Sequence, residues 1–367
     1  MRGLTVFMMI LVNNGVGHEQ FTTLQHSKWN GLTICDLVFP FFLFMVGVSI
    51  WLSRKNLTLS KILRRSLRMF IVGVLLHVWD MLLDGQWMFL HDLRIWGVLQ
   101  RIAICYCTIG LLVMKYEERV KRLGSNPYSS LFTLHSSILI GLLLVAYAAL
   151  LLLGNGYAPD DTNILCRVDR WLFGEAHLYR KSPIDPEGLL ATLPSIAHTL
   201  IGVMVGRVIA NNKSSSLPLP EGSRQQSTRL YSSLLTLGSS VLLCGLLLSL
   251  CLPLKKRVWS PSFVLVTCGL ATLLLLMLVY MEMRGKVRNS YSSLFTAFGL
   301  NAFFLYVLSE MLSPVMSHIG INEAIYEAML SGGFNPCIAS LCYALFFDGL
   351  IAIAAWVLWK RKIFIKI

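Results

Sequence analysis

Apolar residues run through this chain in long, continuous blocks separated by shorter polar stretches. The blocks fall at roughly 4–15, 34–53, 67–83, 95–114, 134–153, 188–210, 230–252, 261–281, 292–313 and 337–359. A hydrocarbon core of ~30 Å takes roughly 20 apolar residues per crossing helix, and most of the blocks reach that length. Only helices and closed barrels satisfy every backbone group in lipid. Barrel strands would alternate apolar and polar positions, and these blocks do not. The pattern predicts an all-α fold, a polytopic integral membrane helical bundle of about ten transmembrane helices that fills 1–367 as a single transmembrane domain. The first block is short and begins almost at Met1, so it reads as a span rather than a cleavable leader. We see no internal repeat and no soluble domain. The longest connections are about 154–187, 211–229 and 314–336, and the second is rich in Ser and Pro and reads as a loop.

Composition sharpens this picture. Hydrophobic residues make up 55% of the chain and charged residues 14%, whereas a soluble domain carries about 25% charged residues. The net charge of +13 raises the question of nucleic acid. With the N-terminus cytoplasmic, 22 of the 32 Lys and Arg fall on inner connections, 9 on outer ones, and Arg101 lies within a span. That bias is the positive-inside pattern. It places both termini in the cytoplasm, accounts for most of the charge, and removes nucleic acid as a partner. Lys255, Lys256 and Arg257 sit on an outer connection and run against the rule. The nine cysteines lie mostly in apolar blocks, with no CxxC and no zinc spacing, so they read as packing residues and no metal is indicated.

Polar residues at or inside the spans carry the candidate chemistry. The first outer connection, NNGVGHEQFTTLQHSKWNGLT, holds His26 eight residues before the second block. An imidazole there is either a solvated loop residue or an acid, base or nucleophile working near neutrality. Asp36 opens the second block, where a carboxylate complements the positive end of a helix. Pro40 cannot bond back to the Asp36 carbonyl; a free carbonyl at that depth is buried in protein or faces a watery cavity. Arg101 within a span marks a functional site or an ion pair, with Asp36 or Glu187 as partner. Asp185 followed by Pro186 reads as a helix start, which leaves Glu187 free to act. Ser260–Pro261 repeats that logic. Asn301, near the middle of a block, glues helices or binds a ligand. Asp348, also mid-block, is a proton-relay carboxylate or a hydrogen-bonded one. His77, His91, His135, His177, His198 and His318 show no metal spacing. Lys61, Arg64, Arg65 and Arg68 recur at helical spacing on an inner connection, where they meet anionic lipid headgroups or the phosphates of a nucleotide cofactor.

Several of these segments resemble one family. HSKWNGLTICDLVFPFFLFMVGVSI, preceded by RGLTVFMMILVNN, is similar to the heparan-α-glucosaminide N-acetyltransferases and their bacterial relatives. GVLQRIAICY, IDPEGLLATLPSI, KKRVWSPSFVLVT and GLNAFFLYVLS resemble that family's later motifs in the same order, so the resemblance covers nearly the whole chain. It implies a transmembrane acyltransferase domain that passes an acetyl group from acetyl-CoA, the only cofactor implied, to the amino group of a terminal glucosamine across the membrane. The family's catalytic histidine falls on His26, its catalytic asparagine on Asn13, the Asp of DLVFP on Asp36, and the arginine of VLQR on Arg101. Arg101 is carried forward with Arg64, Arg65 and Arg68 as a CoA-binding candidate. Asn14, Trp29, Asn30, Glu187 and Asn301 are the candidates for binding an amino-sugar or oligosaccharide acceptor.

The chain departs from the animal enzymes, which carry an N-terminal lumenal domain and an additional first helix. We therefore expect a bacterial inner-membrane protein. Relatives also carry a short stretch with an Asp before RGLT, so the natural start is expected upstream of Met1. A homodimer is expected from the resemblance alone. His26 would act as base, or be acetylated itself and pass the group on; Asn13 would donate to the oxyanion. Two competing classes stay open: a transporter of amino sugars or muropeptides, and an O-acyltransferase of a surface polysaccharide.

Overall fold

The computed structural model describes residues 1–17, 19–86, 89–123, 130–179, 183–214, 222–283 and 290–365. His18 and the counted cations Arg180, Lys181, Arg284, Lys286, Arg288 and Lys366 lie outside the described residues, as does 215–221 of the Ser/Pro-rich connection. Among the described residues there are helices and no strand. In chain order they are α1 (Arg2–Asn13), α2 (Ile34–Leu52), α3 (Leu59–Leu83), α4 (Phe89–Asp92), α5 (Val98–Leu123), α6 (Ser130–Leu153) and α7 (Ile164–Phe173). Then come α8 (Thr192–Ser214), α9 (Gly222–Ser249), α10 (Pro261–Met283), α11 (Ser290–Leu300), α12 (Ala302–Ile319), α13 (Ile321–Ser331) and α14 (Pro336–Lys360).

Nine of these are long and apolar enough to cross a membrane: α2, α3, α5, α6, α8, α9, α10, α12 and α14. The tenth apolar block is α1, whose 12 residues rise only about 18 Å. Helices outrun the apolar blocks where polar residues continue the helical pattern. α3 starts at Leu59, so Lys61, Arg64, Arg65 and Arg68 belong to its first turns rather than to a loop. The block at 292–313 breaks at Asn301 into α11 and α12. Asp185 does not start a helix, because α8 begins only at Thr192. Its carboxylate instead accepts from Glu187 N at 2.9 Å and closes a turn. Ser260 does open α10, its hydroxyl accepting from Phe263 N at 3.3 Å.

α8 is the central helix, with 72% of its apolar window buried, against 17% for α3 and for α9. α8 packs closely on α2 through Gly202 and Gly206, a four-residue spacing of small residues suited to helix contact in lipid. A Cβ on Gly202 would strike the Phe44 carbonyl of α2, and one on Gly47 would strike the Thr199 carbonyl of α8. α3 is peripheral and two-faced. Leu63, Leu67, Ile71 and Leu75, four residues apart, form an exposed apolar stripe suited to lipid, while Arg64, Arg65 and Arg68 turn to another face. Successive spans alternate in direction. The starts of α2, α5, α8 and α10 therefore gather at one end of the bundle, and the finish of α2 and the start of α3 lie at the other.

Candidate functional site

The first site is built around the start of α2. Thr33 caps the helix: its hydroxyl accepts from Asp36 N, and Asp36 returns the bond to Thr33 N, a reciprocal capping box. The Asp36 side chain is fully buried, and its Oδ2 accepts from Ser27 N at 3.1 Å, Thr33 N at 3.2 Å and Thr33 Oγ1 at 3.0 Å. Oδ1 is left for two cationic or polar neighbours, His26 Nδ1 at 3.0 Å and Lys256 Nζ at 3.2 Å. Asp36 thus complements the helix start as its position suggested, and its other oxygen holds His26 rather than the Arg101 expected of it. The His26 ring is 56% exposed. With Nδ1 turned to a buried carboxylate, a proton on Nδ1 leaves Nε2 as an open base. Cys35 Sγ lies 3.0 Å from the same Nδ1.

Lys256 comes from the connection between α9 and α10. That connection is tightly tied. Lys255 N donates to Ser260 Oγ at 3.2 Å, Ser260 N donates to Lys255 O at 3.1 Å, and Trp259 N donates to Lys256 O at 2.9 Å. Trp259 sits at φ 50°, a left-handed conformation rare for a bulky residue, and its ring is buried against Phe39 and Phe263. Lys255 is buried too. Its Nζ donates to Tyr157 O at 2.6 Å and stands 4.6 Å from the centre of the Trp29 ring. Burial lowers the Lys255 pKa and pushes the Tyr157 hydroxyl up to about 12. Trp29 donates from Nε1 to Tyr157 O at 3.3 Å, so it anchors the His26 loop, while Asn30 beside it is exposed. The stretch of three cations that broke the positive-inside pattern therefore serves this end of the bundle. That charge anomaly, with the segment KKRVWSPSFVLVT, was the signal for Lys256 in the sequence.

The remaining predicted residues distribute differently. The Asn13 side chain is bonded to the Glu310 carboxylate of α12, and no described contact joins it to His26. Asn14 is buried, donating from Nδ2 to Ile10 O at 2.7 Å. Glu187 is not free: it and Asp185 both pair with Arg94 Nη2 at 2.7 Å. Burial works against the Arg94 proton, but those two carboxylates outweigh it and raise the Arg94 pKa. Arg101 pairs with neither Asp36 nor Glu187. It is fully buried, donates to Pro186 O at 2.8 Å and Gly188 O at 3.3 Å, and faces the Trp259 ring at 5.1 Å. It clamps the turn before α8. Asn301 binds backbone rather than a ligand, donating to Ile363 O at 3.0 Å and accepting from Ile365 N at 2.9 Å. Asp348 is buried, and among the described residues its carboxylate oxygens have no hydrogen-bond partner. Near the turn before α8, Asp169 accepts from Leu189 N at 3.0 Å, and burial pushes its pKa up to about 6.

The second site opens at the far end of α2. A cavity of about 860 Å³ runs along α2 from Ser53 to Phe42, which is about 16 Å of helix. Its mouth carries five cations, Arg2, Lys61, Arg64, Arg65 and Arg68, and no acidic residue lines it. Its bore is apolar, walled by Phe42, Met45, Ile50, Met69, Ile102 and Phe303. Phe364 and Ile365 of the C-terminal tail complete the wall, which explains the grip of Asn301 on that tail. Arg101 is not among the lining residues. Six residues of α2, about 9 Å of rise, separate Phe42 in the bore from Asp36 in the first site. Among the described residues no group of His, Cys, Asp and Glu has the arrangement of a metal site.

The chain as a whole is similar to known sequences. A family profile described as "Heparan-alpha-glucosaminide N-acetyltransferase, catalytic" matches residues 1–247. The chain is 27% identical over 419 aligned residues to the protein named heparan-alpha-glucosaminide N-acetyltransferase from Mus musculus. It is 26% identical over 424 to the protein of the same name from Homo sapiens. Each alignment takes in 100% of this chain and 59% of the relative, so the chain spans about three fifths of the length of the curated relatives it matches. The capping box that holds His26 against Asp36, and the basic helix start that lines the cavity, both fall within the matched residues. The chain belongs to the heparan-alpha-glucosaminide N-acetyltransferase family.

Proposed function

We propose that this chain is a transmembrane N-acetyltransferase that carries an acetyl group from acetyl-CoA to the amino group of a glucosamine-type sugar. One observation carries the reading: the two ends of α2 hold complementary halves of such a reaction. The cavity has a basic mouth for phosphates and an apolar bore for a neutral thioester arm, and its volume lies in the range of ligand sites. Beyond its inner wall stands a histidine with an exposed ring and a buried carboxylate behind it.

An amine attacks a thioester only when it is unprotonated. In this reading His26 Nε2 takes the proton, Asp36 stabilises the resulting imidazolium, the new C–N bond forms, and the C–S bond breaks. The proton then passes to the departing thiolate. In the two-step version the acetyl group rests on His26 before the amine takes it. Arg64, Arg65 and Arg68 hold the phosphates. The aromatic face of Trp29, with Asn30, receives the sugar. The His26 end faces away from the cytoplasm and the cavity mouth faces into it, as the Lys and Arg bias suggests.

The test uses purified protein in detergent with radiolabelled acetyl-CoA and glucosamine, wild type beside His26→Ala. Labelled N-acetylglucosamine from wild type and none from the variant supports the reading. Full activity in His26→Ala sinks it. A transporter would move amino sugar into proteoliposomes without acetyl-CoA, and an O-acyltransferase would yield a base-labile ester.

A further inference from the structure

Lys256 has a charge, a fixed position and no assigned task. The carboxylate of Asp36 does not need it: Oδ2 accepts three hydrogen bonds, and Oδ1 has His26. A cation on an outer connection also runs against the charge pattern of the whole chain. Yet the tied connection between α9 and α10 brings Lys256 Nζ to 2.8 Å from His26 Nδ1 and 3.5 Å from Nε2. The side chain is 16% exposed, so it reaches the surface on which the His26 ring opens. An ammonium has three protons. Asp36 takes one. In the tautomer that makes Nε2 a base, Nδ1 is itself a donor and takes none. Among the described residues, the groups that face His26 are Asp36, Cys35 and Lys256 itself. In that tautomer, apart from the base Nε2, they offer the remaining protons no further oxygen or nitrogen acceptor, and the 2.8 Å approach to Nδ1 is donor to donor. Asn13, the residue expected to stabilise an oxyanion, is engaged with Glu310.

We propose that Lys256 is a catalytic residue of the transfer: its ammonium binds the thioester carbonyl oxygen beside His26 Nε2 and stabilises the negative charge that forms there. This assignment rests on the acetyl-transfer reading. The amine lone pair forms the N–C bond and the carbonyl π pair moves onto oxygen, where Lys256 holds it. His26 takes the proton from nitrogen. The oxyanion then collapses, C=O re-forms, the C–S bond breaks, and His26 returns the proton to sulfur. A fixed donor aimed at charge that exists only in the transition state raises turnover rather than binding.

The test compares Lys256→Gln, which keeps a neutral donor, with Lys256→Arg, which keeps the charge, both verified by thermal melting in detergent. Turnover in Lys256→Gln falls about 100-fold or more, with KM for acetyl-CoA within about threefold of wild type, and Lys256→Arg recovers part of the loss. A second readout needs no enzyme activity. Diethyl pyrocarbonate at pH 8 carbethoxylates imidazole through the same kind of oxyanion: the ring nitrogen bonds to the carbonyl carbon, and monoethyl carbonate leaves. Mass spectrometry follows His26 against His91, an exposed histidine at 79% accessibility that serves as internal control. The His26/His91 rate ratio drops about tenfold in Lys256→Gln and recovers in Lys256→Arg. A ratio and turnover within threefold of wild type in Lys256→Gln overturn the assignment. Equal losses in Gln and Arg also overturn it, because charge would then not be what matters. If wild type acetylates no amino sugar, the acetyl-transfer reading falls alone, and the carbethoxylation ratio still decides the role of Lys256.

Discussion

The two ends of α2 follow opposite electrostatic plans. At its start, the buried carboxylate Asp36 is paired with His26 and Lys256 within 3.2 Å. At its finish, five cations line one cavity with no acid among the lining residues. Arg64, Arg65 and Arg68 are exposed, and among the described residues no salt bridge engages them. Paired, buried charges fix geometry, because breaking such a pair strands a charge away from water. Unpaired cations at a cavity mouth fix little and raise the local concentration of anions. One end is a tool with a set shape, and the other is a receptor for a ligand that brings its own negative charge.

Substitutions at the two ends separate these roles. The largest effect is expected from His26→Ala, which lowers acetyl transfer about a thousandfold or more while calorimetry finds acetyl-CoA affinity unchanged. A matching loss of affinity would mean that the two ends are not independent. Asp36→Asn keeps the shape and removes the charge; turnover falls about 100-fold. Asp36→Ala, which loses the capping box and strands Lys256 without its acid, lowers the melting temperature by the equivalent of about 3 kcal/mol or more.

At the other end, combined Arg64→Gln, Arg65→Gln and Arg68→Gln raises KM for acetyl-CoA about tenfold, taking a few tenths to 1 kcal/mol per exposed charge. Turnover at saturation stays near wild type. Raising NaCl weakens acetyl-CoA binding in wild type and does so less in the triple variant, because screening acts on the removed charges. Asn301→Ala releases the tail bearing Phe364 and Ile365, and KM for acetyl-CoA rises only a few-fold.

The smallest effect on activity comes from Asp169, which tests whether the loops above the first site share its rigidity. Its folded pKa of about 6 lies above the unfolded carboxylate value. The folded state therefore binds the extra proton, and stability falls as pH rises from about 4 to 6. Asp169→Asn, which cannot ionise, flattens the melting temperature over that window. An unchanged slope would mean that the carboxyl is already ionised at pH 4.

Much of this was legible in the order of residues because it is local. Block length set the number of crossing helices, since a span must satisfy its own backbone in lipid. Asp36 was readable as a carboxylate at a helix start from its place at the opening of the second block, while its capping partner Thr33 emerged with the structure. Arg64, Arg65 and Arg68 share a helix face by periodicity. The other assignments depended on where the loops travel. Lys256 meets His26 across 230 residues, and Arg94 meets Asp185 across 91. Glu187 looked free until Arg94 reached it, and Arg101 sought an acid by rule but found two carbonyls instead. Asn301 looked like a ligand-binding amide at mid-span, and the break between α11 and α12 gave it a tail to hold. Helix propensity, capping and amphipathic spacing act over a few residues and can be read from them. Which charges meet is decided by the packing of distant helices, because a Coulomb partner is chosen by distance in space and not along the chain.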